Sequence, residues 1–183
     1  MNVWIIVLVF IVLIILFIVA SYNSLIITRN RVKDQFSQID VQLKKRADLI
    51  PNLVETIKGY TKHEEEIFKN AIAARKNYLS SNSKNDKIKS NSDIDNTINK
   101  LFALTENYPD LKASTNFQNL QTQLKEIEDK IAYARQFYND TVLLYNNRVE
   151  MFPSNIIANI FNFKQETFFE ASEKDKENIK VKF

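Results

Sequence analysis

The chain has 183 residues, of which 45% are hydrophobic, and a formal net charge of +3 from 25 basic and 22 acidic side chains. Because the basic residues are interleaved with acidic ones rather than gathered in a patch, the composition gives no support for nucleic-acid binding. The absence of cysteine excludes disulfides and cysteine-based metal or redox chemistry, and one glycine with three prolines favours helix throughout.

An apolar run opens the chain. Residues 3–20 read VWIIVLVFIVLIILFIVA, without a charge, proline, glycine or amide side chain. As a helix this run is about 27 Å long, close to the ~30 Å hydrocarbon core of a bilayer. A cleaved signal peptide would have a basic start, a shorter apolar run and small residues before the cut. We therefore predict a transmembrane anchor at residues 1–21.

Basic residues follow the apolar run but do not precede it. Arg29, Arg31 and Lys33 lie just beyond its end, and Lys44, Lys45 and Arg46 follow. The positive-inside rule then predicts a single-pass protein of the cell membrane, with its N-terminus outside and its C-terminal domain in the cytoplasm.

The anchor helix is predicted to continue into the soluble part. Asp48 is a good N-cap and Pro51 is tolerated in a first turn, so we predict a reversal of the chain near residue 47, with one proline-kinked continuous helix as the alternative. The predicted seam repeats every 3.5 residues through Tyr22, Leu25, Arg29, Val32, Phe36, Ile39, Leu43, Arg46 and Ile50.

A second helix is predicted over residues 49–80. Gly59 inside it costs about 1 kcal/mol relative to alanine, so the close approach of another helix is one explanation for it. The polar segment SSNSKNDKIKSNSD, residues 80–93, predicts a surface loop, and a third helix follows over residues 94–106.

The longest predicted helix covers residues 111–152 and ends before Pro153. Its predicted seam also repeats every 3.5 residues, through Ala113, Phe117, Leu120, Leu124, Ile127, Ile131, Ala134, Tyr138, Thr141, Tyr145, Arg148 and Phe152. A short apolar stretch and a charged tail, residues 171–183, follow it. The predicted fold is therefore all-α: a transmembrane helix followed by an antiparallel up-and-down bundle of four main helices in residues 22–170.

The apolar stretch after the longest helix is the candidate membrane interface. In an up-and-down bundle it returns to the membrane surface, where it either caps the open end of the bundle or lies against lipid as an interfacial foot. The candidate side chains are Phe152, Ile156, Ile157, Ile160, Phe161, Phe163, Phe168 and Phe169.

Four asparagines flank the seams of the first and last helices. Asn23 and Asn30 are seven residues apart, as are Asn139 and Asn146. Paired across the interface, their amides would satisfy one another and set the helix register, as seam asparagines do in coiled coils. Ligand binding is the alternative role.

Catalytic motifs are missing from the sequence. His63 begins HEEE, which lacks the second histidine of the H-E-x-x-H zinc site, and one glycine cannot build a Gly-rich phosphate loop. We predict no enzymatic activity, no metal, no cofactor and no small-molecule substrate. A metal-dependent hydrolase built on His63 is the alternative.

Several strings resemble the LemA family in their order along the chain. They are SQIDVQLKKRADLIPNLVETIKGY from Ser37, YPDLKA from Tyr108, NFQNLQ from Asn116, IAYARQFYND from Ile131 and FPSNIIA from Phe152. The resemblance implies a single-pass bacterial membrane protein with a cytoplasmic bundle of four main helices and no assigned enzymatic activity.

This chain also departs from the family pattern. Phe36 stands where the family often has tryptophan, and Asn159 and Asn162 stand where glycines are common. Some relatives are associated with membrane remodelling or encoded near membrane proteases, which suggests an adaptor or scaffold.

The leading functional prediction is a non-enzymatic, membrane-anchored scaffold or adaptor that binds a protein partner or itself at the membrane. The alternative is a lipid-interacting or membrane-shaping protein that uses the Phe-rich segment 152–169. The expected partners are the lipid bilayer and a protein partner or a second copy of the chain.

Overall fold

The computed structural model describes residues 3–61 and 63–169, and every regular element in these ranges is a helix. The predicted all-α class with an apolar N-terminal helix is confirmed, although the described part has six helices where four main ones were predicted. The predicted tail at 171–183 lies outside the described residues. The helices are α1 Val3–Lys58, α2 Glu65–Ser80, α3 Lys84–Thr105, α4 Pro109–Ala113, α5 Thr115–Glu150 and α6 Ser154–Ile160.

The described chain divides into two compact units. The membrane-proximal unit contains residues up to 38 and from 134 to 169, and the helical unit contains residues 39–133. Helices α1 and α5 each contribute residues to both units.

The first helix does not reverse at residue 47. α1 is continuous from Val3 to Lys58 with Pro51 inside it, so the predicted hairpin is wrong and the continuous helix is the observed alternative. A proline inside a helix costs about 3 kcal/mol. Ile50 and Leu53 beside it are fully buried, and each contributes about 1.5–3 kcal/mol, which offsets that cost.

Gly59 lies at the end of α1 rather than inside a helix. Among the residues that the structure describes, a Cβ at this position would meet only the carbonyl oxygen of Thr56, at an ordinary contact distance of 3.5 Å. The close approach of another helix, one explanation for this glycine, is therefore not observed. The low helix propensity of glycine instead favours the end of α1 here. Only the second half of the predicted helix 49–80 forms a separate element, α2.

The segment predicted as a loop, residues 80–93, is mostly helix. α3 begins at Lys84, and the Ser83 hydroxyl caps it by accepting a hydrogen bond from the Asp86 backbone N–H at 3.1 Å. The predicted third helix, 94–106, is the C-terminal half of α3. The polar composition concealed a one-sided pattern, in which Asn91, Ile94 and Ile98 are buried.

The longest predicted helix is also divided. Pro109 occupies the first position of the short helix α4, where its missing N–H costs nothing, and α5 follows from Thr115 to Glu150.

The core of the helical unit is apolar and draws on five helices. Its fully buried large side chains lie along α1, α3, α4 and α5, and α2 adds Phe68 and Tyr78 together with two alanines that allow close packing. The core includes Ile39, Leu43, Ile50, Leu53, Ile57, Phe68, Ala71, Ile94, Leu101, Phe117, Leu124 and Ile131.

One arginine is buried within this unit. Arg46 is 2% exposed. Its guanidinium donates to the Asn91 amide oxygen and the Glu128 carboxylate, and its Nη1 lies 2.7 Å from Asp95 Oδ1. These partners compensate a charge whose burial alone would be costly.

A second polar cluster surrounds Asp40. The Tyr78 hydroxyl donates to Asp40 Oδ1 at 2.7 Å, and Lys87 forms an ion pair with the same carboxylate. Burial, with the nearby Asp40 charge, raises the pKa of Tyr78 far above its ordinary value. The phenol is therefore a permanent hydrogen-bond donor to Asp40.

The membrane-proximal unit keeps the predicted seam. Leu25, Val32, Tyr138 and Tyr145 are buried as expected. Towards the end of α5 the buried side moves to Val142 and Asn146, while Arg148 and Phe152 are exposed. A 3.5-residue repeat drifts by about 20° per heptad around a straight helix, which accounts for this shift.

Candidate functional site

The residues after α6 form an extended segment that α5 holds by its main chain. The Tyr145 and Tyr138 hydroxyls donate to the carbonyl oxygens of Lys164 and Thr167, at 2.9 and 2.8 Å. Burial raises the pKa of Tyr145, so its hydroxyl stays protonated as a donor.

Two asparagine side chains complete the contacts. Asn146 donates to the Glu166 carbonyl oxygen and accepts from the Glu166 N–H, both at 2.9 Å. Asn139 makes the same pair of bonds with Phe169, at 3.0 and 2.8 Å. We call the set Tyr138, Asn139, Tyr145 and Asn146 the backbone clamp.

The spacing of the clamp matches an extended chain. Its two Tyr-Asn pairs are seven residues apart, a rise of about 10.5 Å along a helix. The main-chain groups that they bind are three residues apart, which is about 10 Å in an extended chain. Seven residues of α5 therefore cover about the same distance as three residues of the extended segment.

Two buried phenylalanines fix the ends of the segment. Phe163 lies beneath the Arg29 guanidinium, 5.1 Å from carbon to ring centroid, and packs edge-on against Tyr22 at 5.8 Å. Phe169 lies beneath the Arg135 guanidinium at 4.6 Å. Such cation–π contacts are each worth about 0.5–2 kcal/mol, and the rings are only 7% and 6% exposed.

The predicted asparagine constellation has a different partner from the one expected. Asn139 and Asn146 bind the backbone of residues 166 and 169, and Asn23 and Asn30 are exposed. The predicted amide pairing is not the geometry observed, because the extended segment supplies both a donor and an acceptor to each amide. Sequence reasoning found the heptad spacing of these asparagines but missed the roles of Arg29 and Arg135, which only the fold brings to the phenylalanines.

The eight candidate membrane-interface residues separate into two groups. Ile157, Phe163 and Phe169 are buried inside the membrane-proximal unit. The other five are exposed, with Phe152 at 80% and Ile160 at 68% the most open: Phe152, Ile156, Ile160, Phe161 and Phe168.

A stripe of exposed apolar side chains runs along the last part of α5 and ends at Met151, directly after the helix. Phe137, Leu144 and Met151 are seven residues apart and are 61%, 58% and 61% exposed. Sequence reasoning missed this stripe because it followed the buried seam. Large apolar side chains exposed in a row are unusual on a surface that faces only water.

The candidate hydrolase residues do not form a catalytic cluster. His63 is exposed, and Glu64 accepts hydrogen bonds from the Tyr108 hydroxyl and the His63 backbone N–H, which lower the Glu64 pKa. Across residues 3–61 and 63–169, no group of three or more histidine, aspartate or glutamate side chains could hold a metal ion.

The apolar start of α1 is long and apolar enough to cross a membrane by length and composition, and none of its apolar window is buried inside the protein. Its side chains from Val3 to Phe17 are all exposed. A surrounding apolar phase such as a bilayer would remove this surface from water.

Known proteins with similar sequences include a family and several curated relatives. The sequence model of the LemA family matches residues 35–183. Protein LemA of Metamycoplasma hominis is 25% identical over 162 residues, which are 88% of this chain and 74% of that protein. Magnetosome proteins MamQ 1 and MamQ 2 of Paramagnetospirillum magneticum are each 33% identical over 75 residues, which are 41% of this chain and only 28% of their own length.

The apolar helix and these similarities together indicate a membrane-associated helical protein. Because the family match covers most of the chain, the protein belongs to the LemA family.

Proposed function

We propose that this protein is a non-enzymatic, membrane-anchored scaffold or adaptor that binds a protein partner or a second copy of itself at the membrane. The anchor spans the membrane once, with the N-terminus outside and the helical part in the cytoplasm. The basic residues Arg29, Arg31 and Lys33 that follow the apolar run support this orientation.

The observation that carries the proposal is the exposed stripe on α5. Phe137, Leu144 and Met151 repeat every seven residues, the spacing with which a helix presents apolar side chains to another helix. A partner helix laid along the stripe would bury all three. Each of the three side chains is more than half exposed, so the described residues of this chain do not cover them. A partner helix that covers them would gain the free energy of burying their apolar surface.

In-cell crosslinking tests the proposal. A photo-crosslinking amino acid at Leu144 in the full-length protein should capture a partner or a second copy, identified by mass spectrometry. The matched control is Gln136, which is exposed on the same helix but lies about 80° around it from Leu144. Phe137→Glu should suppress capture at Leu144. Equal capture at both positions, or no effect of Phe137→Glu, would count against the scaffold.

A second candidate function is lipid interaction or membrane shaping. It is favoured by the exposed side chains Phe152 and Ile160 and by a cavity of about 300 Å³ in the same unit. Ser21, Ser24 and Arg148 line this cavity beside the end of the apolar run. Arginine and hydroxyl groups next to an apolar surface suit an anionic lipid headgroup.

Site-specific quenching tests lipid contact. The chain has no cysteine, so a single cysteine replacing Ile160 can carry a fluorophore in full-length protein reconstituted into vesicles. A quencher attached to the lipid acyl chains should quench this fluorophore but not one at exposed Ser37. Absence of quenching at residue 160 would exclude the interfacial foot.

A further inference from the structure

We infer that the backbone clamp on α5 is a binding site for extended peptide segments with phenylalanines six residues apart, and that the same segment of a second copy is its partner in the membrane. This inference rests on the proposed function, because it names how one copy would bind another. In the structure the chain's own residues 163–169 occupy the clamp.

The clamp recognises main chain rather than side chains. Its two tyrosines and two asparagines form six hydrogen bonds with main-chain atoms of the segment, donating four and accepting two. A carboxamide offers one donor and one acceptor to a single residue, as a neighbouring β-strand would. Any extended chain presents these groups at the same spacing, so the hydrogen bonds of the clamp itself do not require particular side chains between the anchors.

Selectivity comes from the two ends. Phe163 and Phe169 are buried beneath Arg29 and Arg135, whereas Lys164, Gln165, Thr167 and Phe168 between them are exposed. A ligand therefore needs two aromatic side chains six residues apart. At the five intervening positions the hydrogen bonds of the clamp are made to backbone, and the Gln165 side chain adds a hydrogen bond to Glu150 at the end of α5.

A second copy meets these requirements directly. Every copy carries both a clamp and a matching segment, and the contacts made within one chain can be repeated between two, as in domain swapping. The segment follows α6 through a turn at Asn162, whose φ of 56° lies in the left-handed region, and a different conformation of this turn would redirect the segment. Anchoring two copies in one bilayer raises their effective concentration for this exchange.

Peptide binding to the full-length protein in detergent tests the clamp. The probe is a fluorescent peptide with the sequence of residues 161–169, FNFKQETFF. In a Phe163→Ala/Phe169→Ala variant the protein's own segment loses its anchors and should leave the clamp open. We expect this variant to bind the peptide at least about tenfold more tightly than the unmodified protein, since a tenfold change is ~1.4 kcal/mol.

Further variants separate backbone recognition from nonspecific adhesion. Adding Asn139→Asp and Asn146→Asp to the open variant preserves side-chain size but removes both amide donors, and should weaken binding at least about tenfold. A peptide with its five inner residues shuffled should bind within about threefold, whereas one with both anchor phenylalanines changed to alanine should not bind. No binding to the open variant, or equal binding to its Asp derivative with unchanged circular dichroism, overturns the clamp as a peptide site.

Complementary copies test the exchange itself. One full-length copy carries Asn139→Asp/Asn146→Asp with an intact segment, and a second, differently tagged copy carries Phe163→Ala/Phe169→Ala with an intact clamp. In the same vesicles this mixed pair should co-purify in larger amount than two copies of either variant. Equal recovery overturns the second copy as the partner. The crosslinking at Leu144 reports on another face of α5, so its outcome judges the proposed scaffold separately.

Discussion

The buried Arg46 network makes the sharpest prediction for stability. The Arg46 side chain is 3% exposed, whereas the carboxylates of Asp95 and Glu128 that contact it are 36% and 53% exposed. The buried Arg46 cation has almost no contact with water, so only its partners can offset the cost of removing its charge from water. The two carboxylates remain partly hydrated even when Arg46 is removed. Removing the negative charges should cost more than removing the positive one.

The magnitudes follow from this asymmetry. Asp95→Asn with Glu128→Gln leaves a buried, uncompensated guanidinium and should lower the free energy of unfolding by about 3–5 kcal/mol. Arg46→Met keeps most of the side-chain volume and leaves the buried oxygen of Asn91 without its donor, for a loss of about 1–3 kcal/mol. Combining all three changes should restore much of what the two acid changes lose.

Thermal unfolding of the full-length protein in detergent, followed by circular dichroism at neutral pH, measures these differences. At about 2–4 °C per kcal/mol for a chain of this size, the Asp95/Glu128 variant should melt roughly 6–20 °C lower and Arg46→Met roughly 2–12 °C lower. Lys69→Met is the control, because its ion pair with Glu65 is largely exposed and should matter little. If Arg46→Met melts lower than the acid variant, the assumed difference in burial is wrong.

Three further predictions concern packing, pH and topology. Leu53→Ala at a fully buried position should cost about 2–5 kcal/mol in the same unfolding assay, against about 0.5 kcal/mol for Val41→Ala at an exposed one; equal losses would contradict the assigned core. Hydrogen bonds from Lys44 and Arg75 lower the pKa of Asp48. The ionised Asp48 carboxylate therefore contributes to the free energy of unfolding at neutral pH. This contribution should be lost as the pH falls below about 4 and the carboxylate is protonated. The difference in free energy of unfolding between the unmodified protein and Asp48→Asn should therefore shrink at low pH, and a constant difference would contradict this. For topology, a lone cysteine at Ser37 should react with an impermeant maleimide only after the cells are opened, and labelling of intact cells would reverse the proposed orientation.

Local patterns made much of the fold predictable. The unbroken apolar run of residues 3–20, the helical class and the buried positions Leu25, Val32 and Leu43 follow from composition and periodicity, which neighbouring residues encode by themselves. The heptad spacing of Asn139 and Asn146 was also visible. These features depend on side chains within a few turns of one another.

Other features depended on distant residues. α1 continues through Pro51 because the residues beside this proline are buried in the core. The polar start of α3 is helical because one face of this helix is buried, which its composition does not reveal. Local propensity differs by about 1 kcal/mol or less at most positions, so packing of this kind outweighs it.

The sequence by itself therefore determined an apolar helix suited to a membrane and a series of amphipathic helices after it. Only the tertiary structure decided which polar groups meet: Asn146 binds residue 166, 20 positions away, and Arg46 binds Glu128, 82 positions away. A buried donor must find an acceptor wherever the fold places one, because leaving it unpaired costs about 1–3 kcal/mol. That requirement acts through space, and periodicity along the chain does not reveal the partner.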